Sequence, residues 1–495
     1  MQVEFGLLHQ KQRGGISMDK IAETKPVSSA RHGPLRRAAD HHFAAELNET
    51  AKLALPMVLT QLGQIAMITT DLAFIGRIGP EAVAAAALGG TALSVGLTFG
   101  AGLVSAVAPL AAQAFGAANP ALVQRTLRMG LWAAFLLWVP MMAFSLRGEQ
   151  ILLALGYGPA TVRLAQQYLF GLGWGMLPAL WFSAIRSFMS SVSRAEPVLW
   201  ITLVAIPINA MLVYLLICGK FGLPRLELFG AGLATTLVNC ATFLASLWFA
   251  TMRRPFRDYH VLADLWRFDW ALMRQLIVVG TPISIAILME SGFFSAAALL
   301  IGEISTTAVA AHQIAFQVST VLFMIPFGIG LAASVRVGYA VGRNDISGVK
   351  WAGLAAMLLG VAITAILTLA VIATRFEIAE LFVDESASNA GATTELAAKL
   401  LLVGASFYIT DAVQSIAVGS LHGLRDTQVP LLFAGIAYWL IGASLSYVLG
   451  FKIGLGAIGI WIGLSIGTAV YAALLVMRFQ LLVRISRKRD SGFTN

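Results

Sequence analysis

Only two cysteines occur in the 495 residues, Cys218 and Cys240, each inside or at the edge of an apolar run, with no Cys-x-x-Cys or histidine spacing around them. No disulfide framework and no zinc site follows, and both read as small packing residues. Charge is scarce too: 12% of residues are charged and 58% hydrophobic, which excludes an ordinary soluble enzyme. No G-x-x-x-x-G-K-[ST] loop is found, since Lys220 in CGKFG is followed by Phe221. Anything the chain pumps is therefore expected to run on an ion gradient rather than on nucleotide hydrolysis. The first fifty residues are polar and lack the apolar core of a cleavable signal peptide, and Met18 is an alternative start. The DHH triplet at 40–42 reads as part of a solvated tail rather than a metal site.

What is abundant is apolar sequence, with a mean hydropathy of +0.79. A helix needs about 20 mostly apolar residues to cross about 30 Å of hydrocarbon. Twelve such spans are expected, near 53–76, 88–114, 127–146, 164–188, 197–218, 229–251, 276–301, 310–338, 352–374, 397–421, 429–451 and 456–479. Their length, their internal Gly and Pro, and the lack of ten-residue alternation exclude an outer-membrane barrel. The net charge of +9 is topological: about 26 of the 34 Lys and Arg fall on the side of the termini, which the positive-inside rule places in the cytoplasm. Arg253, Arg254, Arg257, Arg267 and Arg274 mark a central loop on that side, and RISRKR at 484–489 marks the tail. Contact with anionic lipid heads fits this pattern; nucleic acid does not.

An offset of about 226 residues superimposes Pro56 on Pro282, IGRIGPEAVAA on IGEISTTAVAA, Gly102 on Gly328 and Gly116 on Gly342. A second block, at about 233, superimposes Gly171 on Gly404 and Pro197 on Pro430. The expected fold is an all-α membrane protein of about twelve transmembrane helices in two pseudo-symmetric six-helix bundles around a central cleft. Its parts are a tail at 1–50, lobes at 51–252 and 276–480, an inter-lobe loop at 253–275 and a C-terminal tail at 481–495. An even number of spans per repeat keeps both lobes in one orientation, and two such lobes suit alternating access. Prolines 56, 109, 140, 178, 207, 282 and 326 in or beside spans permit kinks or fix static bends.

The acids depart from the repeat. Glu290 superimposes on Gln64, Asp71 on Ala297 and Asp411 on Pro178. A charge at the bilayer centre costs about 2.5–3.5 kcal/mol on insertion scales, so such groups persist where they face a cavity or partner. Asp71, Glu290 and Asp411 are candidate proton sites, or Na⁺ sites if ionised among neutral oxygens. Tyr408, Asp411 and Gln414 share one helix face at i, i+3 spacing, and Phe294, four residues past Glu290, is placed to offer an aromatic wall to a flat cation. His312 and Gln313 read either as site residues or as capping and packing residues. Arg186 and Arg336, at cytoplasmic ends, read as snorkelling side chains.

TDLAFIGRIG at 70–79, the run from Met289 to Gly342, and TDAVQSIAVGSLHGLRDTQVP at 410–430 resemble the multidrug and toxic compound extrusion (MATE) antiporters, in their bacterial NorM-like branch. The resemblance spans roughly residues 43–480. It implies an inner-membrane efflux protein, not an enzyme and without a cofactor, that exports small cationic drugs or dyes in exchange for inward Na⁺ or H⁺. By motif, Asp71, Glu290 and Asp411 match the family's acids, the last two helping to bind the coupling cation (the metal, if Na⁺), with Tyr408 as the nearby tyrosine. Asp71, Gln64, Phe294 and Gln414 are the expected substrate or proton-binding residues. Partners are expected to be these small molecules and membrane lipids, with no obligate protein partner. The alternatives are a lipid-linked or polysaccharide flippase of related architecture, which favours a cationic cleft, and a gradient-insensitive channel. A major-facilitator carrier is excluded because GAANPALVQR stands where that family's Gly-x-x-x-Asp-Arg loop belongs.

Overall fold

The computed structural model describes residues 33–219, 225–383 and 389–491. The chain divides into two units, Met1–Ala44 and Ala45–Asn495. In the first, the described residues are helical from Gly33, while the expected tail up to residue 32 and the side chains of His41 and His42 lie outside the described residues. The second carries the membrane spans, and no strand occurs among the described residues.

Twelve spans are present if one bent pair counts as a single crossing. They are α1 Phe43–Gly76, α2 Pro80–Gly116, α3 Pro120–Leu146, α4 Pro159–Gly173 with Met176–Ser191, α5 Glu196–Cys218 and α6 Glu227–Met252. The second half continues with α7 Trp270–Gly302, α8 Thr306–Gly342, α9 Ile346–Ala373, α10 Ala390–Gly423, α11 Gln428–Lys452 and α12 Gly456–Ser491. Each expected span is found, and most helices run past the apolar window into the flanking polar sequence. A short helix follows the third span of each half, Gly148–Ala154 and Arg375–Phe382.

The repeat extends to helix signals. Asn119 caps α3 by accepting from Leu122 N, and Asp345, at the same offset, caps α9 by accepting from Gly348 N. The turns before them pass through left-handed backbone at Ala118 and Asn344. Breaks follow local chemistry. Pro109 cannot donate to the carbonyl of Ser105, and α2 is interrupted at Ala106. In α4 the 41° bend falls at the Trp174–Gly175 break, ahead of Pro178. In α11 much of the helix widens into π turns, at Gly435–Ala443 and Val448–Lys452.

The lobes meet through α2 against α7 and α8. At the end carrying the termini they close tightly: a Cβ on Gly116 would collide with the Tyr339 carbonyl oxygen, and one on Gly342 with that of Gln113. Gln113 Nε2 donates to the Gly423 carbonyl at 2.8 Å, which adds α10 to the seal. Arg336 does not snorkel; it reaches from α8 to α1 and donates to both Glu46 carboxylate oxygens, at 2.9 and 2.7 Å. Arg186 likewise turns inward, donating to Gln61 at 2.9 Å beside a cavity of about 40 Å³ between α1, α4 and α8. Both corrections have one cause: a carboxylate or amide within reach satisfies the guanidinium at lower cost than extending it to the interface.

At the opposite end the lobes part. A cleft of about 750 Å³ lies between Ile65, Ile68 and Leu72 of α1 and Gln313, Gln317 and Thr320 of α8. The inter-lobe segment is an ordered strap on α3. Gln124 donates to the carbonyls of His260 and Ala263, Arg128 to that of Asp264, and Trp132 to that of Leu265. Asp269 ends the strap by pairing with Arg125 and accepting from Leu272 N at the start of α7.

Candidate functional site

Each lobe holds an acid in a hydrogen-bonded polar cluster within an apolar surround. In the C-terminal lobe Glu290, near the middle of α7, is half-buried, and its Oε1 accepts from Gln414 Nε2 at 2.7 Å and from Tyr438 Oη at 3.2 Å. Asp411, one turn before Gln414 on α10, is 4% exposed and close enough to Glu290 for the two carboxylates to interact electrostatically. Tyr438 stacks on Phe293 at 5.2 Å and packs against Tyr471 at 5.0 Å. The π turns of α11 carry Tyr438 to this position.

Three oxygens of α10 lack a hydrogen-bond partner: Asp411 Oδ1 and Gln414 Oε1 beside Glu290, and Tyr408 Oη, which lies against Gly404 a turn away. Tyr408 lies beside Ser319 without forming a well-directed bond, and the Ser319 hydroxyl donates instead to Ala315 O at 2.8 Å. Buried polar atoms are almost always paired, so the two orphans beside Glu290, on Asp411 and Gln414, mark a place built to bind. The donor set is hard oxygen: the carboxylates of Glu290 and Asp411, the Gln414 amide and the Tyr438 phenol. No group of three or more acidic, His or Cys side chains that could hold a metal occurs among the described residues. A carboxylate pair with neutral oxygens suits a proton or a monovalent cation.

In the N-terminal lobe Asp71 accepts from Asn209 Nδ2 at 2.6 Å and from Thr235 Oγ1 at 3.3 Å, with Tyr168 close enough to feel its charge. Glu290, Asp411 and Gln414 are thus brought together, with Tyr408 on the same face, while Asp71 belongs to a separate cluster. Gln64 is half-buried on α1 beside the cleft residue Ile65. Phe294 is packed edge-on to Phe407 at 5.7 Å and near Phe293 and Phe316, so its ring is engaged within the C-terminal lobe. His312 is buried, with its Nδ1 accepting from Trp461 Nε1 at 3.2 Å, whereas Gln313 lines the cleft. No described carboxylate lines that cleft. Sequence reasoning followed the acids and missed Tyr438, Tyr471, Asn209 and Thr235. The available signal was a lone amide or hydroxyl inside an apolar span, as in AIPINAM and GIAYWLIG.

Two lobes in one orientation, sealed against each other at one end, open at the other and each with an acid in a hydrogen-bonded cluster, define a multi-span membrane protein of the transporter type. The family model described as MatE matches residues 56–215 and again 282–448, one match per lobe. The chain belongs to the MatE family. It is 59% identical to the "Probable multidrug resistance protein NorM" of Bradyrhizobium diazoefficiens over 91% of this chain and 97% of that protein. It is 54% identical to the protein of the same description in Rhodopseudomonas palustris, over 94% and 98%. Among solved structures it resembles an outward-facing multidrug resistance MATE family transporter with a TM-score of 0.82 at 18% identity, over 90% of this chain and 97% of that one.

Proposed function

We propose that this protein is a secondary-active multidrug efflux antiporter of the bacterial inner membrane, with both termini cytoplasmic, exporting small organic cations in exchange for inward Na⁺ or H⁺. The observation that carries the reading is the Glu290–Asp411 pair, which no described Lys or Arg meets in an ion pair. Two carboxylates in a low-dielectric setting do not both stay charged without a cation or a proton between them. The half-buried face of Glu290 gives an ion a way in, and the orphan oxygens of Asp411 and Gln414 replace its water.

The cleft offers glutamines, Thr320 and apolar side chains to the exported molecule, a lining that tolerates many shapes. Ion and drug therefore communicate through the lobes: each favours a different arrangement of them, since a ligand binding both states equally shifts nothing. Inward movement of one charge adds about 2.3 kcal/mol per 100 mV of membrane potential. The seal built on Gly116, Gly342 and the Glu46–Arg336 pair supports alternating access over a continuous pore. The work is done by binding and motion, without bond chemistry.

Ethidium efflux under imposed Na⁺ and pH gradients tests this. Glu290→Gln and Asp411→Asn are each expected to lose most gradient-coupled efflux, by about tenfold or more, while membrane insertion and thermal stability are kept. Coupled efflux surviving in both variants removes the site.

A further inference from the structure

A second built cavity lies away from the central cleft, on the outer face of the C-terminal lobe at the end carrying the termini. Its floor, of about 370 Å³, is apolar and formed by Leu354 and Met357 of α9 with Val476 and Phe479 of α12. Its rim is basic: Lys350 stands on α9, and Arg484 and Arg487 stand across from it on α12. A neighbouring cavity of about 420 Å³ shares Lys350, Val483 and Arg487, so the basic rim continues past the apolar floor.

The sequence explains the geometry. Helix α12 runs 36 residues, far more than a bilayer crossing needs, and its last turns carry Arg484 and Arg487 at i, i+3 spacing on one face. Further into the span, Arg478 is neutralised by Asp426 at 2.7 Å. The three rim cations have no such partner: none forms an ion pair among the described residues, and Lys350 rests over the Trp351 ring at 5.3 Å. The acid that lines the second cavity, Asp345, is occupied in capping α9, where its Oδ1 accepts from Gly348 N at 2.8 Å. Snorkelling accounts for exposed cations at a membrane face, but not for an apolar cavity directly beneath three of them.

We propose that this groove is a binding site for an anionic phospholipid, with the phosphate held by Lys350, Arg484 and Arg487 and an acyl chain lying along α9 and α12 over Leu354, Met357 and Phe479. The charge of the rim selects the headgroup, and guanidinium forks suit phosphate oxygens. The apolar floor selects an amphiphile over a free anion. Basic pockets between spanning helices recognise anionic headgroups by this chemistry. The assignment stands apart from the transport reading, because it uses no residue of the carboxylate clusters or the cleft.

The test uses the full chain purified in a neutral detergent. Native mass spectrometry and thermal unfolding are followed with short-chain phosphatidylglycerol, with phosphatidylcholine of the same chain length, and with inorganic phosphate at matched concentration. Phosphatidylglycerol is expected to remain bound and to raise the unfolding midpoint by several degrees, with little effect from the other two. The triple variant Lys350→Gln, Arg484→Gln, Arg487→Gln changes only exposed groups and is expected to weaken phosphatidylglycerol binding by about tenfold or more. Leu354→Trp, which fills the floor and leaves the charges, is expected to weaken it as well. Equal effects of the two lipids, or wild-type binding by the triple variant, overturn the site. A full shift from inorganic phosphate alone, or undiminished binding by Leu354→Trp, overturns the lipid as its occupant.

Discussion

The halves differ most where single residues were exchanged at equivalent positions. Arg336 and Glu46 hold α8 to α1, whereas their counterparts at the repeat offset, Leu110 and Leu272, pack in one apolar cluster at the other inter-lobe contact. One crossing is fastened by charge and the other by oil. Removing one partner of the charged pair leaves the other half-buried and unpaired, at a cost of about 1–3 kcal/mol. Glu46→Gln is therefore expected to shift the lobes about tenfold or more away from this closed arrangement, read as faster alkylation of a cysteine placed at Ala112. Gly116→Val acts on the same seal by collision with Tyr339 and is expected to do so more strongly. The acids of the candidate site were legible in the sequence because a carboxylate in an apolar run is costly and so conspicuous. Tyr438 and Asn209 were not, because a hydroxyl or amide costs little wherever a partner waits, and the partners came from other helices.

Among the elements, the spans were legible from apolar run length, and the Pro and Gly offsets marked the two lobes. The bend of α4 at Trp174–Gly175 and the π turns of α11 were not, since a window average of hydropathy is blind to which hydrogen bonds a helix makes. The strap is the clearest case. Its carbonyls bond to Gln124, Arg128 and Trp132, side chains that carry no periodic signal. Its end depends on Asp269, whose carboxyl is held below the usual aspartate value of 3.8 chiefly by the hydrogen bond from Arg125 and then by the Leu272 N–H. A carboxyl with a depressed pKa stabilises the docked strap at pH above 3.8, and the contribution is lost as pH falls through the lower, docked-state value. Amide exchange across residues 256–269, corrected for intrinsic pH dependence, is expected to be faster in Asp269→Asn at neutral pH. The effect is small, below about 1 kcal/mol, because Arg125 is half-exposed, and the gap to wild type closes in acid.

Across the whole molecule, the seal at one end and the cleft at the other fit one of the two states that the proposed exchange requires. The carboxylate pair sits inside one lobe and the cleft between both, so under the proposed antiport ion and drug would influence each other through the arrangement of the lobes. That linkage is measurable without a membrane gradient. Ethidium bound to the purified protein at equilibrium, followed by fluorescence anisotropy while Na⁺ or protons are titrated, is the most direct test. The account predicts that one of these ions releases the dye from wild type, and that Glu290→Gln and Asp411→Asn still bind dye but no longer yield it to that ion. Dye indifferent to both ions in wild type, or released equally from both variants, contradicts the account.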